Sequence, residues 1–551
     1  MHLKKIFFII CFITVVVKSN AQLSGGFESN SSWYIDDKKI KLEQIEAEDR
    51  LRTNAYLRLD YRLGRFTAGV QAEAYQSKAL LNYSPNFKGI NIGTYYVSYK
   101  NDSIGLEVTA GHFYEQFGSG LVFRSWEDRQ LGIANSIAGA KVKYAPIKAL
   151  QFTALYGKQR NGLGFKFTDG NIIGLNGELD LSTILKAKKI NYNIGGSYVN
   201  RYEKSDNNNL SASVYLTSVR GKLQRKGFTV DVEYAFKSKD ALVEFGNVRP
   251  DLQFDGDAYL LNIGYSKKGL GINASVRRLE NFGFYSQRNL AGNVYSEGVA
   301  NYIPALTKQY DYSLTNIYVY QSQPGLRFEP GRNKAGEIGG QAELIYQFKK
   351  ETPLGGKYGT NVSVNYAQWH GLKGLYDAND RKYKANKFTF GQKYYHELGV
   401  EIRKKWSKKL SSAITYLNQY YNARYVAETI GEVNANTVVI ENTLRVGKRN
   451  SLRWEVQHQW ANGEFKNWAA SALEFNAGER WSFFAVDLYN YGNEDASGKI
   501  HFYNMGAAFK MNSVRVQAAY GRQRGGLVCI GGICRFVPQS GGLNLGLNIV
   551  F

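Results

Sequence analysis

The sequence predicts an all-β fold: a transmembrane antiparallel β-barrel of the outer-membrane type, with about 24 strands in a range of roughly 22 to 26, short periplasmic turns and long extracellular loops. Three observations predict it. The chain ends in a strand with one apolar and one polar face, segments of the same pattern recur along the chain, and the connections between them alternate between short and long.

The C-terminal segment 543–551 alternates between apolar and polar residues, the period-two pattern of a strand with two unlike faces. It ends at the aromatic Phe551, which is unusual for a strand of a soluble sheet. The segment resembles the closing strand of bacterial outer-membrane barrels, which the barrel-assembly machinery reads during insertion. This resemblance implies that Phe551 is an insertion signal and that the assembly machinery is a partner. One face carries Leu543, Leu545, Leu547, Ile549 and Phe551, and the other carries Asn544, Gly546 and Asn548.

The clearest internal strand is 228–236, in which aromatic and aliphatic side chains alternate with Asp231 and Glu233. The apolar face is predicted to contact lipid and the two carboxylates to face the lumen. Roughly nine to eleven residues suffice for a tilted strand to cross a bilayer. Trp454 and Trp460 lie on the apolar face of one such strand, where indole rings suit the membrane interface. Similar segments are 66–75, 256–266, 270–276, 338–348, 452–460 and 514–520.

Short turns join some strands and longer connections join the others, which matches periplasmic turns and extracellular loops. A β-propeller or β-helix would be the soluble alternative, but the sequence has no fixed repeat period. The short turns are predicted at 63–65, 101–103, 224–227, 267–269, 447–451, 477–480 and 511–513. The long loops are predicted at 77–90, 114–135, 158–172, 238–255, 281–337 and 368–391.

The N-terminus predicts a signal peptide over residues 1–21. Lys4 and Lys5 precede a short apolar run, and Ser19-Asn20-Ala21 is a small-residue cleavage pattern. The run is shorter than the ~20 residues that a spanning helix needs. Residues 22–551 are expected to form a single barrel domain, since no proline-rich linker divides them, and 40 Tyr, 30 Phe and 57 Gly against 8 Pro suit many strands and tight turns.

The formal net charge is +23, and the excess of basic residues falls at the short turns. A basic ring beside lipid phosphates contributes about 1 kcal/mol per residue near an anionic surface, so outer-membrane lipids are the expected partner. An acidic envelope protein is the open alternative. Nucleic acid is not expected, because the bases lie on separate turns and not along one groove. The turn residues include Lys186, Lys188, Lys189, Arg225, Lys226, Lys267, Lys268, Lys349, Lys350, Lys404, Lys405, Lys408, Lys409, Lys448 and Arg449, against Asp102, Glu351 and Glu479.

Cys529 and Cys534 flank a Gly531-Gly532 turn. Outside the cytoplasm, this spacing predicts a disulfide across a loop tip. A metal site is the competing interpretation, but no His or further Cys lies nearby in the sequence, and no cofactor is expected.

Two loops carry the candidate functional residues. The loop 114–135 places Arg124, Glu127, Asp128 and Arg129 among aromatic residues and glycines. These charges are predicted either to brace the inside of the wall or to form a lumen constriction or ligand contact. The loop 281–337 is too long and too aromatic for a disordered connection. It is predicted to be either an inward plug or an outward binding surface for sugar or protein, and its candidate residues are Tyr302, Tyr310, Tyr312, Tyr318 and Tyr320.

These loops carry a resemblance. The segments 113–120, 126–132 and 303–309 resemble parts of an uncharacterised outer-membrane barrel family of Bacteroidota. The resemblance, together with the barrel pattern, covers essentially the whole mature chain and implies the fold and an outer-membrane location. Because that family has no assigned activity, the resemblance carries over no catalytic residue.

The functional hypotheses are a passive, porin-like channel of unknown solute or a non-enzymatic scaffold subunit of a larger cell-envelope complex. An energy-coupled receptor is disfavoured, because strands begin within a few dozen residues of Gln22 and leave no room for an N-terminal plug domain. An enzyme is not expected. His112 lies near Glu115 and Ser119, but no Gly-x-Ser-x-Gly context accompanies them.

Overall fold

A computed structural model describes residues 21–551, apart from 81–83, 294, 296, 330 and 464. Within this part of the chain, one closed sheet contains 24 antiparallel strands. In chain order β1 to β24 are Ala21–Tyr34, Leu51–Leu63, Phe66–Gln76, Gly89–Asn101, Leu106–Phe113, Ile137–Ile147, Leu150–Arg160, Phe167–Asp180, Asn191–Tyr202, Ser213–Arg225, Phe228–Glu244, Asn247–Lys267, Leu270–Glu280, Gly336–Phe348, Thr360–Asp377, Lys382–Lys405, Leu410–Asn422, Glu432–Val446, Asn450–Ala461, Trp468–Ala477, Trp481–Tyr489, His501–Met511, Val514–Gln523 and Ser540–Val550.

The barrel closes where the last strand pairs with the first. The register runs from Gly26 opposite Val550 to Tyr34 opposite Gly542. Each strand therefore has a neighbour on both sides and the sheet has no free edge. The prediction of an all-β antiparallel barrel with 24 strands is confirmed, and the alternating C-terminal segment is the closing strand β24.

The period-two alternation separates the inside of the barrel from the outside. In β11, Val232 and Tyr234 are exposed, whereas Glu233 and Ala235 are buried. The predicted lipid face of this strand therefore points outward and its carboxylate points into the lumen. The same outward register carries a belt of exposed apolar side chains that includes Val97, Tyr156, Leu175, Val219, Val276, Ile414, Val456, Trp460, Leu473, Met505 and Leu545.

Short turns occupy one end of the barrel, together with Ala21 and Phe551; we call it the turn end and the opposite end the loop end. Three of the predicted loops are wrong. β7 and β8 leave only 161–166 between them, β11 and β12 meet at a two-residue turn, and β15 and β16 leave only 378–381. Strand pairing continues here beyond the length that a bilayer requires, so the polar segments at the loop end are still strands.

Several short elements lie between the barrel strands. The predicted signal peptide lies, except for Ala21, outside the described residues. Among those that are described, no helix has both the length and the apolar character to cross a membrane. Short hairpins pair Glu115–Phe117 with Phe123–Ser125, Glu127–Asp128 with Ile133–Ala134, and Gly526–Ile530 with Ile533–Val537; single helical turns are Leu181–Ile184 and Ala423–Val426, and 3-10 turns are Lys38–Ile40, Ala47–Asp49, Arg288–Leu290, Leu314–Asn316 and Ala496–Gly498.

Candidate functional site

The longest connection, residues 281–335, runs through the barrel interior, and we call it the lumen loop. Lys237 of β11 donates from Nζ to the Gly283 carbonyl at 3.0 Å. Gln419 of β17 donates from Nε2 to the Tyr318 carbonyl at 3.1 Å. Both side chains point inward, so the loop reaches widely separated sectors of the wall from inside.

The first part of the lumen loop is held by buried charges. Arg288 of the loop donates from Nε to Asp240 Oδ1 of β11 at 3.0 Å, and Arg201 of β9 donates from Nη2 to the same oxygen at 2.8 Å. Arg201 also donates to the Tyr285 carbonyl at 3.1 Å. Charge-assisted hydrogen bonds of this kind are stronger than neutral ones, so this part of the loop is fixed to the wall.

The middle of the lumen loop crosses to the opposite sector. Lys308 donates from Nζ to Glu343 Oε1 at 2.8 Å and to Ser363 Oγ at 3.1 Å. Farther along, the Leu314 backbone exchanges hydrogen bonds of 2.9 Å with the side-chain amides of Gln457 and Gln459. The middle of the lumen loop thus contacts the wall strands β14, β15 and β19.

Four of the five predicted tyrosines are buried inside the barrel. Tyr320 is fully buried and stacks on Trp369 of β15 and Tyr395 of β16, with ring centroids 5.7 Å and 5.3 Å away. Tyr318 packs on Tyr421 of β17. The remaining pair, Tyr310 and Tyr312, packs against the inward residues Leu417 and Val439. These rings fill the lumen and offer no outward surface.

Glu337, at the start of β14, is the anchor for the last part of the loop. Its carboxylate is fully buried and accepts hydrogen bonds from Arg277 at 2.6 Å, the Tyr320 hydroxyl at 2.5 Å, the Ser322 hydroxyl at 2.9 Å and the Gln323 backbone N–H at 2.7 Å. One wall carboxylate therefore satisfies three groups of the lumen loop and one buried guanidinium.

Lys334 holds the end of the lumen loop. Its Nζ donates to Gln323 Oε1 at 2.7 Å and to the Tyr425 carbonyl at 3.0 Å. Burial lowers the pKa of its ammonium to about 8, because desolvation disfavours the charged form, and the neighbouring Arg327 acts in the same direction. The Lys334 ammonium thus holds the end of the loop, although burying its charge costs desolvation free energy.

Gly399 of β16 provides space for Tyr310. A methyl group at this position would overlap the Tyr310 hydroxyl. We expect Gly399→Val to displace Tyr310 and to speed trypsin cleavage after Lys308 in the folded barrel. Gly264→Val is the matched control, because a Cβ atom there meets only ordinary contacts at 3.4 Å or more. Equal cleavage rates in the two variants would contradict this packing.

A second segment, residues 114–136, also folds inward. The Ser119 backbone N–H donates to Glu233 Oε2 of β11 at 3.2 Å. On the other side, Arg129 donates to Glu28 of β1 at 2.7 Å and to Gln71 Oε1 of β3 at 2.8 Å, and its guanidinium lies 4.3 Å from the ring centre of Tyr56. This segment therefore bridges distant wall sectors from within the lumen.

Glu127 and Asp128 contact neighbouring residues of this segment, and Glu127 also contacts the wall. Glu127 accepts from Arg129 Nε at 3.3 Å and from Gln71 Nε2 at 3.2 Å. Asp128 accepts the backbone N–H of Leu131 at 2.9 Å. Glu127, Asp128 and Arg129 thus lie together beside the wall, and Arg124 lies elsewhere.

Arg124 lies where the two inward segments meet. Its guanidinium lies 3.9 Å from the ring centre of Tyr302 and 4.7 Å from that of Trp126. Its backbone N–H donates to the Ala300 carbonyl at 2.9 Å, and Tyr302 N–H donates to the Gly120 carbonyl at 2.9 Å. Tyr302 thus differs from the other four tyrosines, because it joins two segments and does not pack on the wall.

A third segment, the disulfide hairpin Gly526–Val537, packs on the lumen loop. The predicted Cys529–Cys534 disulfide is present. At the hairpin tip, the Gly532 carbonyl accepts the Ala305 N–H at 2.8 Å, the Gly531 carbonyl accepts the Tyr302 hydroxyl at 2.9 Å, and the Gly531 N–H donates to Gln309 Oε1 at 2.9 Å. We call the three inward segments together the plug.

The turn end of the lumen remains accessible to water. Arg58, Lys222 and Arg403 point inward from β2, β10 and β16, and their side chains are 55%, 50% and 54% exposed. Inward residues at the loop end, such as Arg277 and Glu337, are at most 2% exposed. The lumen is therefore an aqueous vestibule at the turn end and is filled by protein at the loop end.

The structure does not bring His112, Glu115 and Ser119 together. His112 lies beside Ser136, with Nδ1 2.9 Å from Oγ, and not beside Ser119. Glu115 forms salt bridges with Lys141 and Lys143. No group of three His, Cys, Asp or Glu suited to a metal ion occurs among the described residues.

Residues 3–551 match the model of a family described as a family of unknown function, DUF6029. No curated protein matches the chain.

Similar solved structures include the siderophore receptor PirA from Pseudomonas aeruginosa, with 9% identity, a TM-score of 0.44, and coverage of 97% of this chain and 81% of that one. A BenF-like porin from Pseudomonas fluorescens Pf-5 has 7% identity, a TM-score of 0.35 and coverage of 97% and 98%.

Proposed function

The chain belongs to the DUF6029 family, and we propose that it is a passive channel of the outer membrane whose lumen is closed at the loop end by its own plug. One observation carries this proposal: a water-accessible vestibule at the turn end leads up to segments that are packed inside the barrel. A barrel of this strand number encloses an aqueous lumen unless loops occupy it. Movement of the plug would therefore open a path for solute.

The contacts that hold the plug support its proposed movement as a gate. Its contacts with the wall are non-covalent: hydrogen bonds, ion pairs such as Lys308–Glu343, ring contacts such as Tyr320–Trp369, and apolar packing. The wall strands pair with one another along the whole circumference and need no plug residue for closure. The lumen loop can thus leave its position without breaking the sheet.

The proposed orientation places the turn end in the periplasm, since outer-membrane barrels have short periplasmic turns. Phe551 then lies at the periplasmic rim, where the barrel-assembly machinery would read it. Basic turn residues such as Lys226 and Lys268 would face lipid phosphates. The outer membrane of a Gram-negative bacterium is the proposed location, and the resemblance noted above favours Bacteroidota. No catalytic step and no cofactor are part of the proposal.

A scaffold subunit is the second candidate, and the sign of charge at the turn end favours it. The turns 186–189, 406–409 and 447–449 carry basic residues without an acidic one, and the turn 349–359 carries three lysines against one glutamate. An acidic envelope protein would dock there by charge complementarity. The wide vestibule plays no part in this function.

The two functions are separable by experiment. The channel predicts discrete conductance steps from the intact refolded barrel in a planar bilayer and release of small neutral solutes from liposomes. The scaffold predicts a partner at near-stoichiometric yield after mild detergent extraction. Absence of both conductance and solute release from correctly folded protein, together with such a partner, would overturn the channel.

A further inference from the structure

A pocket lies beside the strand pair that closes the barrel, and we call it the seam pocket. Its volume is about 490 Å³, within the range of small-molecule sites. Inward residues of β1, β2 and β24 form its wall, and its rim at the loop end is formed by the loops 35–50 and 524–539 together with Leu80, Arg129 and Gln130. It is distinct from the aqueous vestibule at the turn end.

The carboxylates of the seam pocket are already neutralised. Glu28 pairs with Arg129 at 2.7 Å, and Asp49 pairs with Lys78 at 2.8 Å. Arg52 stacks over the ring of Tyr34, 5.2 Å from its centre. A charged ligand would have to compete with these contacts, whereas a neutral ligand leaves them intact.

Side-chain amides are the largest class of hydrogen-bonding groups in the pocket. A primary amide offers two donors and an acceptor, which matches the paired donor and acceptor character of hydroxyl groups. Gln130 and Gln539 are exposed, and their side chains make no hydrogen bond within the described part of the chain. The amides are Asn30, Asn54, Gln130, Gln523, Gln539 and Asn544.

Apolar groups complete the lining. The Tyr34 ring, Leu42 and Pro538 face the same cavity. Such surfaces suit the C–H faces of a sugar ring, while the amides suit its hydroxyls. A peptide is a poorer match, because extended peptides bind by adding to a free strand edge and β24, β1 and β2 are paired on both sides.

We propose that the seam pocket binds a neutral oligosaccharide through its side-chain amides. This goes beyond the proposed channel function, because binding at the seam does not require the plug to move.

The experiment is calorimetric titration of the full-length refolded barrel in detergent. The probes are maltotriose, mannotriose, galactotriose and chitotriose, with a blocked neutral tripeptide for comparison. At least one trisaccharide is expected to bind. The double variant Gln130→Ala/Gln539→Ala is expected to weaken this binding about tenfold, the loss of hydrogen bonds to two amides.

Gln151→Ala is the matched control. Gln151 points into the lumen from the turn end of β7, outside the pocket, so its loss should leave the affinity unchanged. The proposal is overturned if no trisaccharide binds, if the double variant binds as tightly as the unchanged protein, or if only the tripeptide binds. Intact-barrel conductance tests the channel separately and does not enter this result.

Discussion

Replacement of Glu337 by alanine is expected to lower the free energy of unfolding by about 3–5 kcal/mol. The variant removes the only carboxylate within salt-bridge distance of Arg277 in the described chain, so a guanidinium at most 2% exposed is left without its counter-charge. It also removes the acceptor for the Tyr320 and Ser322 hydroxyls. The last part of the lumen loop should then detach from the wall.

Urea unfolding of the refolded barrel measures the stability change, and conductance measures the release of the loop. Glu351→Ala is the matched control, because Glu351 is exposed in a turn at the other end of the barrel. An unfolding midpoint for Glu337→Ala equal to that of the control would show that Glu337 does not anchor the lumen loop.

Loss of the disulfide is expected to increase the equilibrium constant for opening of the plug about thirtyfold, because cross-linking so short a loop stabilises its folded form by about 2 kcal/mol. The hairpin tip binds the lumen loop through main-chain groups of Gly531 and Gly532. Without the Cys529–Cys534 bond, the tip becomes less ordered and those contacts weaken. Reduction with dithiothreitol and the double variant Cys529→Ser/Cys534→Ser should have the same effect.

Single-channel recording measures the open probability before and after reduction. The double serine variant is its own control, because dithiothreitol should not change its open probability. If reduction leaves the open probability of the unchanged protein unaltered, the hairpin does not hold the lumen loop in place.

The sequence predicts the barrel wall well, because each side chain of a strand with a period-two pattern faces either outward or into the lumen. Val232 and Glu233 differ by one position, and the structure places them on opposite faces as predicted. The same rule identifies inward charged residues such as Arg277. The sequence does not predict the parts of β11, β12, β15 and β16 at the loop end. These parts are polar strands that continue beyond the bilayer, where apolar alternation no longer marks a strand.

The plug is less predictable because its contacts join residues far apart in the chain. The many aromatic residues of the lumen loop indicate that the loop is buried, but the sequence pattern does not predict which wall residues they contact. Glu337 was not among the predicted site residues, although it directly precedes a predicted strand. A carboxylate at the inward register of a strand, next to a tyrosine-rich loop, is the signal that would have identified it.

Replacement of the lumen loop shows whether the plug closes a continuous lumen. Asn281 N–H donates to the Ala335 carbonyl at 2.8 Å, so the two ends of the loop lie side by side. A short glycine–serine linker can therefore replace 283–333 without straining β13 and β14. Replacement of the exposed loop tip 206–208 is the control.

Conductance of the refolded barrels in a planar bilayer is the deciding measurement. We predict brief openings from the intact barrel and from the control, and a large, steady conductance from the variant that lacks the lumen loop. A variant that is folded and inserted but conducts no more than the intact barrel would contradict closure of the lumen by the plug.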